Sequence, residues 1–212
     1  MLTNNINFKD FFLSKPSKKI SNIFKKLIKE DNEILKSLKK TYNDSFKKKT
    51  ISKIKNFSEI LIIGMGGSVL GARSIHSFLK RKIKKNFYFV DDLNSIKKID
   101  KNKKKKLYLI ISKSGNTLET ISNSNILIKS RNKNIFITEN KDSYLNNLAK
   151  KMKSEIIHHN NFIGGRYSVL SEVGMLPAEL MGFKANQFRR LNFLIKNKKF
   201  VNSLIQNVSN TL

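Results

Sequence analysis

The sequence of 212 residues contains no cysteine and no tryptophan, and it has only two prolines. Without cysteine, the chain can form no disulfide, no thiolate metal site and no cysteine nucleophile, which favours a reducing compartment. No apolar run approaches the ~20 residues of a membrane-spanning helix. The first 17 residues also lack the apolar stretch and cleavage site of a signal peptide. We therefore expect a cytoplasmic protein without a membrane partner.

Acidic residues are scarce, with 15 Asp and Glu against 43 Lys and Arg, and the formal net charge is +28. Such a charge is typical of nucleic-acid-binding proteins. The arginines, however, are only Arg73, Arg81, Arg131, Arg166, Arg189 and Arg190. The abundant lysine, asparagine and isoleucine share AT-rich codons, and the lysines are spread along the whole chain. We favour codon bias and solvated faces, and therefore predict no nucleic-acid partner. The charge should still attract phosphorylated substrates at low salt.

The first quarter of the sequence has the periodicity of a helix. Apolar residues recur at spacings of three and four between residues 17 and 48, which predicts helix there. Pro16 precedes the pattern, and Ser17 or Ser21 can cap the helix. We predict a helical extension over residues 1–56 that packs against a neighbouring domain and has no chemistry of its own.

From residue 57 onward, short apolar runs alternate with helical stretches. We predict strands at residues 59–64, 87–91, 107–112, 135–138 and 155–158. We predict helices at residues 69–80, 117–130, 143–151, 170–181, 186–195 and 200–212. The runs lack polar–apolar alternation, as in a parallel sheet that is covered on both faces. Right-handed crossovers then give a three-layer α/β sandwich over residues 57–212, with a helical C-terminal end.

Two local features qualify this interpretation. Pro177 predicts that its helix either starts late or is kinked, because proline removes a backbone donor from the helix interior. The lysine-rich stretch at residues 97–106 predicts a solvated connection.

Two predicted strand–helix junctions have unusual composition, and ligands bind at such junctions in parallel sheets. Gly64-Met-Gly-Gly-Ser68 has three glycines in four positions, so its backbone can approach a ligand closely. It fits a dinucleotide-binding loop only loosely, since Val69 stands where the last glycine belongs. Ser112-Lys-Ser-Gly-Asn-Thr117 brings hydroxyls, an amide and a lysine to a helix N-terminus, which favours an anion. An N-cap and turn at Thr117 is the alternative, but together the two loops favour phosphate.

A third segment, Gly164-Gly-Arg-Tyr-Ser-Val169, has an arginine after two glycines. Such an arginine usually lies in a surface turn. The glycines could instead let the backbone fold inward and direct the permanently charged Arg166 at a site.

Together, the three segments resemble three signatures of the phosphoglucose isomerase family in order and approximate spacing. The first two signatures also occur in the wider sugar isomerase (SIS) family, whereas the third, which continues through Val173-Gly-Met-Leu-Pro177, is more specific. The resemblance covers about residues 57–185. It implies a SIS-type fold and the interconversion of glucose 6-phosphate and fructose 6-phosphate in glycolysis and gluconeogenesis. It also implies a homodimer when complete, with no metal or organic cofactor. A non-catalytic SIS module that senses a sugar phosphate is the alternative.

The resemblance also implies roles for individual residues. The phosphate would be held by the hydroxyls of Ser112, Ser114 and Thr117 and by the amide of Lys113. Gly67 and Ser68 would contact the sugar near its reacting end. Arg166 would stabilise negative charge on an enediolate intermediate. Asn116 stands where many family members have a hydroxyl residue, which removes one expected phosphate contact.

The family's proton-transferring glutamate, with a histidine and a lysine, lies downstream of the glycine–arginine signature, and none of those motifs occurs in this sequence. We therefore expect the first domain of an enzyme without its second domain. Glu172 and Glu179 follow the signature directly, and we expect solvated or N-terminal helix carboxylates there. We expect His76 on a helix face, and His158 and His159 at a strand end.

Overall fold

A computed structural model describes residues 17–94 and 105–212, so the expectations for residues 1–16 and 97–104 lie outside the described residues. The strands are β1 (Glu59–Gly64), β2 (Asn86–Val90), β3 (Lys106–Ile111), β4 (Lys133–Thr138) and β5 (Glu155–His158). They form one five-stranded sheet in the order β2-β1-β3-β4-β5, and all four neighbouring pairs are parallel. All five predicted strands are confirmed to within two residues.

The helices are α1 (Lys18–Leu27), α2 (Glu33–Ser37), α3 (Lys48–Ile54), α4 (Gly67–Leu79), α5 (Leu118–Leu127), α6 (Tyr144–Lys151), α7 (Glu172–Leu180), α8 (Ala185–Phe188) and α9 (Lys198–Thr211). Short 3-10 helices lie at Lys80–Lys82, Gly165–Leu170 and Leu191–Lys196. None of the helices in the described ranges has the length and apolar character that a bilayer crossing requires.

Two separate apolar layers flank the sheet, because successive side chains of a strand point to opposite faces. In β1, Ile60 and Ile62 pack with α3, α4 and α7, whereas Leu61 and Ile63 pack with α5 and α6. Every residue of β1 is buried, which explains why its sequence does not alternate. The predicted three-layer α/β sandwich is confirmed.

The helix predicted between residues 17 and 48 is present in part, as two separate helices, α1 and α2. Ser17 caps α1 as predicted, but α1 ends at Leu27, and α2 begins only after the cap at Asn32. The Asn32 side chain accepts the N–H of Leu35 at 2.9 Å, a local bond that favours a new helix start over continuation. In addition, α1 packs against α9, which lies within the predicted 57–212 domain.

Arg189 holds the segment between α2 and α3 in its non-helical path. Its guanidinium is 1% exposed, and it forms a bidentate pair with Asp44 at 2.6 and 3.0 Å. It also donates to the carbonyls of Ser37 (3.1 Å) and Leu170 (2.7 Å), and it lies 5.0 Å from the centre of the Tyr42 ring. A buried guanidinium with this many acceptors is well satisfied. The residues before β1 are thereby attached to the sheet domain.

Three further expectations need correction. α7 starts at Glu172 and runs through Pro177 to Leu180, so the late start is wrong. The predicted helix at residues 186–195 is divided into α8 and a 3-10 helix. Lys106 is not solvated, because it begins β3 with its ammonium 3.8 Å from the Glu59 carboxylate, and both side chains are buried.

Candidate functional site

The strand order places a crevice at the carboxyl ends of β1 and β3. From β1 the chain turns towards β2, and from β3 it turns towards β4 on the other side, so the loops after these two neighbouring strands diverge. This reversal of strand order is a topological switch point, where ligands of open α/β sheets bind. Gly64 and Ile111 are register partners, so both strands end at the same level. A pocket of about 420 Å³ opens there, lined by Met65, Gly67, Ser68, Lys113, Ser114, Thr117, Glu139, Lys141 and Gly165.

The glycine-rich loop forms one wall of this pocket. Gly66 has φ +51°, a conformation that side chains disfavour, and this turn lets α4 start directly after β1. The N–H of Ser68 donates to the carbonyl of Met65 at 3.0 Å. The side chain of Ser68 is half-buried and lines the pocket.

Three hydroxyls converge in the loop between β3 and α5. The buried Ser112 Oγ lies 2.9 Å from Thr117 Oγ1 and accepts the N–H of Gly115 at 3.2 Å. Ser114 Oγ lies 3.5 Å from the same Thr117 oxygen. Gly115 has φ +68°, and a Cβ there would come within 2.2 Å of Ser143 Oγ, so only glycine permits this fold of the loop.

The same loop presents backbone donors. Within the described ranges, the N–H groups of Ser114 and Thr117 have no hydrogen-bond acceptor. Thr117 is the N-cap residue of α5, where the helix dipole favours negative charge. Free N–H groups and hydroxyls at a helix N-terminus are the arrangement that binds phosphate oxygens.

Asn116 does not take part in this arrangement. Its side-chain oxygen accepts the N–H of Tyr144 at 2.9 Å and thereby fixes the start of α6. The asparagine that replaces the family's hydroxyl residue therefore has a structural partner outside the pocket.

A carboxylate between two lysines closes the opposite wall. Glu139 follows β4, and its carboxylate lies 3.2 Å from Lys113 Nζ and 2.5 Å from Lys141 Nζ. Burial raises the pKa of Glu139, but the hydrogen bonds from Lys141 and Lys113 outweigh burial, and the net pKa is lowered. Lys113 Nζ also donates to the carbonyl of Asn161 at 2.8 Å. The ammonium of Lys113 is therefore engaged by Glu139 and by the Asn161 carbonyl.

The glycine–arginine segment folds inward onto the glycine-rich loop, which the sequence left open. A Cβ on Gly67 would lie 2.2 Å from the Gly165 carbonyl oxygen, so the two backbones are in direct contact. Ser168 Oγ donates to the carbonyls of Gly165 (2.8 Å) and Gly67 (3.3 Å). Gly165 lines the pocket, whereas the following residue, Arg166, is exposed and is not part of the lining.

The three loops that meet at this pocket are the three segments whose sequences resemble the signatures of one protein family. A family model described as phosphoglucose isomerase matches residues 15–208. The chain belongs to the phosphoglucose isomerase family. It is 33% identical over 176 residues to a glucose-6-phosphate isomerase of Methanocaldococcus jannaschii, covering 76% of this chain and 41% of that protein. It is 34% identical over 161 residues to the enzyme of the same name from Mycoplasma genitalium, covering 66% of this chain and 37% of that protein. The chain thus spans less than half the length of these relatives.

Solved structures show the same fold at low sequence identity. A hypothetical protein from Thermus thermophilus superposes with a TM-score of 0.66 at 19% identity, over 89% of this chain and 51% of that chain. A protein from Escherichia coli superposes with a TM-score of 0.55 at 18% identity, over 84% of this chain and 97% of that chain. At such identity these likenesses establish the fold alone. The predicted parallel α/β fold is confirmed.

Most residues that the phosphoglucose isomerase resemblance singled out lie together. Those that line the pocket are Gly67, Ser68, Lys113, Ser114 and Thr117. Ser112 lies buried directly behind them. Arg166 does not line the pocket; it follows the lining residue Gly165, and its side chain is exposed, with no hydrogen bond or ion pair in the described part of the chain. Sequence reasoning missed Glu139 and Lys141. The rule that ligands meet the carboxyl ends of strands could have found them, because both follow the predicted fourth strand.

Of the two alternatives expected for Glu172, a solvated carboxylate or one at a helix N-terminus, the structure shows the second. Glu172 occupies the first turn of α7, and it is 1% exposed and not solvated, because its Oε1 lies 2.6 Å from Nδ1 of the buried His159. Burial raises the pKa of Glu172, but the hydrogen bonds from His159 and from the N–H of Asn160 outweigh burial and leave the pKa lowered.

The remaining candidates have structural roles. Glu179 accepts the N–H of Ala185 at 2.8 Å and so fixes the start of α8. His76 lies on α4 against the rings of Phe87 and Phe89, and burial, with Lys80 nearby, lowers its pKa. His158 ends β5, as predicted.

A larger cleft of about 800 Å³ lies between the residues around α2 and those after β5, and it is lined in part by Lys36, Tyr42, Asn161 and Glu172. Its lining includes Glu172 at the start of α7 and His158 at the end of β5, but it contains no glycine-rich loop. We place the functional site in the smaller pocket, because the donors for an anion converge there.

Proposed function

We propose that this chain forms the sugar-phosphate-binding part of an isomerase that interconverts glucose 6-phosphate and fructose 6-phosphate in glycolysis and gluconeogenesis. The observation that carries the proposal is the convergence of Ser112, Ser114 and Thr117 at the N-terminus of α5, opposite the contact between Gly67 and Gly165. Membership of the phosphoglucose isomerase family supports the choice of reaction.

The substrate phosphate binds in the loop between β3 and α5. The hydroxyls of Ser114 and Thr117 and the free N–H groups beside them donate to its oxygens, while Ser112 holds Thr117 in place from behind. These donors are fixed by the backbone before the ligand arrives, so little ordering is needed on binding. The net charge of +28 raises the rate at which the dianionic substrate encounters this site.

The reacting end of the sugar lies towards Gly67, Ser68 and Arg166. An aldose–ketose interconversion moves a proton between two neighbouring carbons and develops negative charge on their oxygens. Arg166 has a permanent positive charge and no competing partner within the described residues, so it can stabilise that charge.

No proton transfer is assigned to the residues that line this pocket. Glu139 is a carboxylate in the lining, but it contacts two lysines and has a lowered pKa. A carboxylate of that kind is a weak base, since proton abstraction is favoured by a pKa close to the working pH. We propose that the base belongs to a part of the complete enzyme outside this pocket, that the enzyme is a cytoplasmic homodimer, and that it needs no cofactor.

A heavy-water experiment tests the function. The 212-residue chain is mixed with fructose 6-phosphate in D₂O, and the ³¹P and ¹H NMR spectra are followed over time. We expect a broadened or shifted phosphate signal without turnover. Formation of deuterated glucose 6-phosphate would show that a base lies within this chain, whereas unchanged phosphate signals at saturating ligand would contradict the assignment of the phosphate site.

A non-catalytic sugar-phosphate sensor is the second candidate, because a phosphate site without a free base also suits such a module. Joining the chain to the remaining length of a relative's sequence separates the two functions. Turnover of fructose 6-phosphate by the joined protein supports the isomerase, and tight binding without turnover supports the sensor.

A further inference from the structure

The buried pair formed by His159 and Glu172 brackets the glycine–arginine segment, because His159 precedes the segment and Glu172 follows it in the sequence. Both side chains are 1% exposed, and His159 Nδ1 is 2.6 Å from Glu172 Oε1. The other ring nitrogen, Nε2, is 3.0 Å from the carbonyl oxygen of Ile163. A carbonyl oxygen can only accept, so Nε2 carries a hydrogen and donates it to Ile163. One side chain thus connects α7 to the backbone of a loop.

That loop is held at two points. The Oε1 atom of Glu172 also accepts the N–H of Asn160 at 2.9 Å, so the carboxylate orients His159 and fixes the start of the loop. The Nε2 bond fixes its end at Ile163, and the N–H of Ile163 donates to the carbonyl of Asn160 at 3.2 Å across the turn. Residues 160–163 are therefore closed into a tethered turn whose next residue is Gly164.

The position of Arg166 depends on this backbone. Its side chain makes no hydrogen bond within residues 17–94 and 105–212, so no partner holds the guanidinium in place. The carbonyl of the adjacent Gly165 touches Gly67. A Cβ on Gly67 would lie only 2.2 Å from this carbonyl oxygen. A shift of the loop would separate this contact or displace Arg166.

We propose that His159 is a positioning residue. Its Nε2–H bond to Ile163 fixes the Gly164–Gly165–Arg166 backbone against Gly67 and thereby sets the position of Arg166. The hydrogen bond between His159 and Ile163, the tether, is inferred from the geometry alone. The effect of this bond on how Arg166 stabilises substrate charge rests on the proposed function.

Two substitutions of His159 separate the tether from the rest of the pair. In H159Q, the amide nitrogen occupies the place of Nε2 and can still donate to Ile163. In H159N, the amide nitrogen occupies the place of Nδ1 and can still contact Glu172, but it cannot reach Ile163. Both variants replace the same buried ring by an amide, so each serves as the control for the other.

Amide hydrogen exchange in the 212-residue chain measures the outcome. The reporter is the N–H of Tyr167, which donates to the Gly164 carbonyl at 2.9 Å, and the N–H groups of Ile62 and Leu109 in the sheet report global opening. Relative to the sheet amides, Tyr167 should exchange about tenfold faster in H159N than in H159Q, as expected for loss of one hydrogen bond. Equal Tyr167 exchange in the two variants would overturn the proposal.

A second readout separates the tether from the proposed function. H159N should weaken binding of 6-phosphogluconate, whose carboxylate reaches towards Arg166, and leave binding of inorganic phosphate unchanged; equal weakening of both ligands would overturn the positioning role.

If the wild-type chain binds neither ligand, the proposed function fails, while Tyr167 exchange still decides on the tether. If neither variant folds, the wild-type imidazole decides: a slowly exchanging Nε2–H resonance supports the tether, and its absence overturns it.

Discussion

Gly67 and Gly165 lie in direct backbone contact, and a Cβ on Gly67 would come within 2.2 Å of the Gly165 carbonyl oxygen. The two glycines belong to motifs about a hundred residues apart, and Ser168 Oγ bridges them by donating to both carbonyls. This contact brings the glycine–arginine segment to the pocket at the switch point of the sheet.

Gly67→Ala should open this contact. The added methyl group collides with a backbone atom that cannot rotate away, so we expect a loss of about 1–3 kcal/mol in the free energy of unfolding. Gly164→Ala is the matched control, because a Cβ there meets nothing closer than the Tyr167 ring at 3.7 Å. Urea denaturation of both variants measures the difference, and equal stability of the two would show that the backbones are not in contact.

Thr117→Val should weaken the binding of fructose 6-phosphate about tenfold, because it removes a hydroxyl that faces the charged phosphate. Thr120→Val is its control in the same helix. Thr120 is fully buried, and its hydroxyl has no hydrogen-bond partner among the described residues, so this change should leave binding intact and raise stability by up to about 1 kcal/mol. Isothermal titration calorimetry measures the affinities. If both variants bind as well as the wild type, Thr117 does not contact the phosphate.

Arg166→Ala should weaken the binding of 6-phosphogluconate about tenfold and that of fructose 6-phosphate much less, because only the first ligand has a carboxylate at the reacting end. Arg81→Ala is the control for net charge, since Arg81 is exposed beyond the far end of α4, about 20 Å along the helix. Equal losses for both ligands, or equal effects of the two variants, would contradict a role for Arg166 at the reacting carbons.

The stability contributed by Glu139 should depend on pH. Its pKa in the folded state is lowered from the ordinary value of 4.5, so the folded state favours the ionised form. The resulting stabilisation is present above pH 4.5 and is lost as the pH falls through the lowered pKa. Glu139→Gln should therefore be less stable than the wild type at pH 6, and the gap should shrink at pH 3.5. Urea denaturation at the two pH values tests this, and a gap that stays constant or widens in acid would contradict the ion-pair account.

The sheet and the pocket loops could be predicted from the sequence because their signals are local. Buried parallel strands have continuous apolar runs, as β1 does, and the motif loops directly follow such runs. Each of the two loops, Gly64–Ser68 and Ser112–Thr117, could therefore be assigned to the end of a strand before the strand order was known.

The features that escaped prediction depend on distant partners. The helix break after α2 follows from Arg189, which donates to Ser37 across 152 positions of sequence. Burial of Lys106 follows from the strand register, which pairs it with Glu59. Glu172 at the start of α7 is buried against His159, which follows β5. None of these partners can be identified before the fold is known.

Amide chemical-shift mapping of the ¹⁵N-labelled chain with fructose 6-phosphate tests the central claim most directly. If the phosphate binds at the switch point, the largest shifts fall on the amides of Ser114, Gly115 and Thr117, with smaller shifts at Gly67 and Ser68. Shifts concentrated in the larger cleft, at Lys36 and Asn161, or no shifts at saturating ligand, would contradict the account.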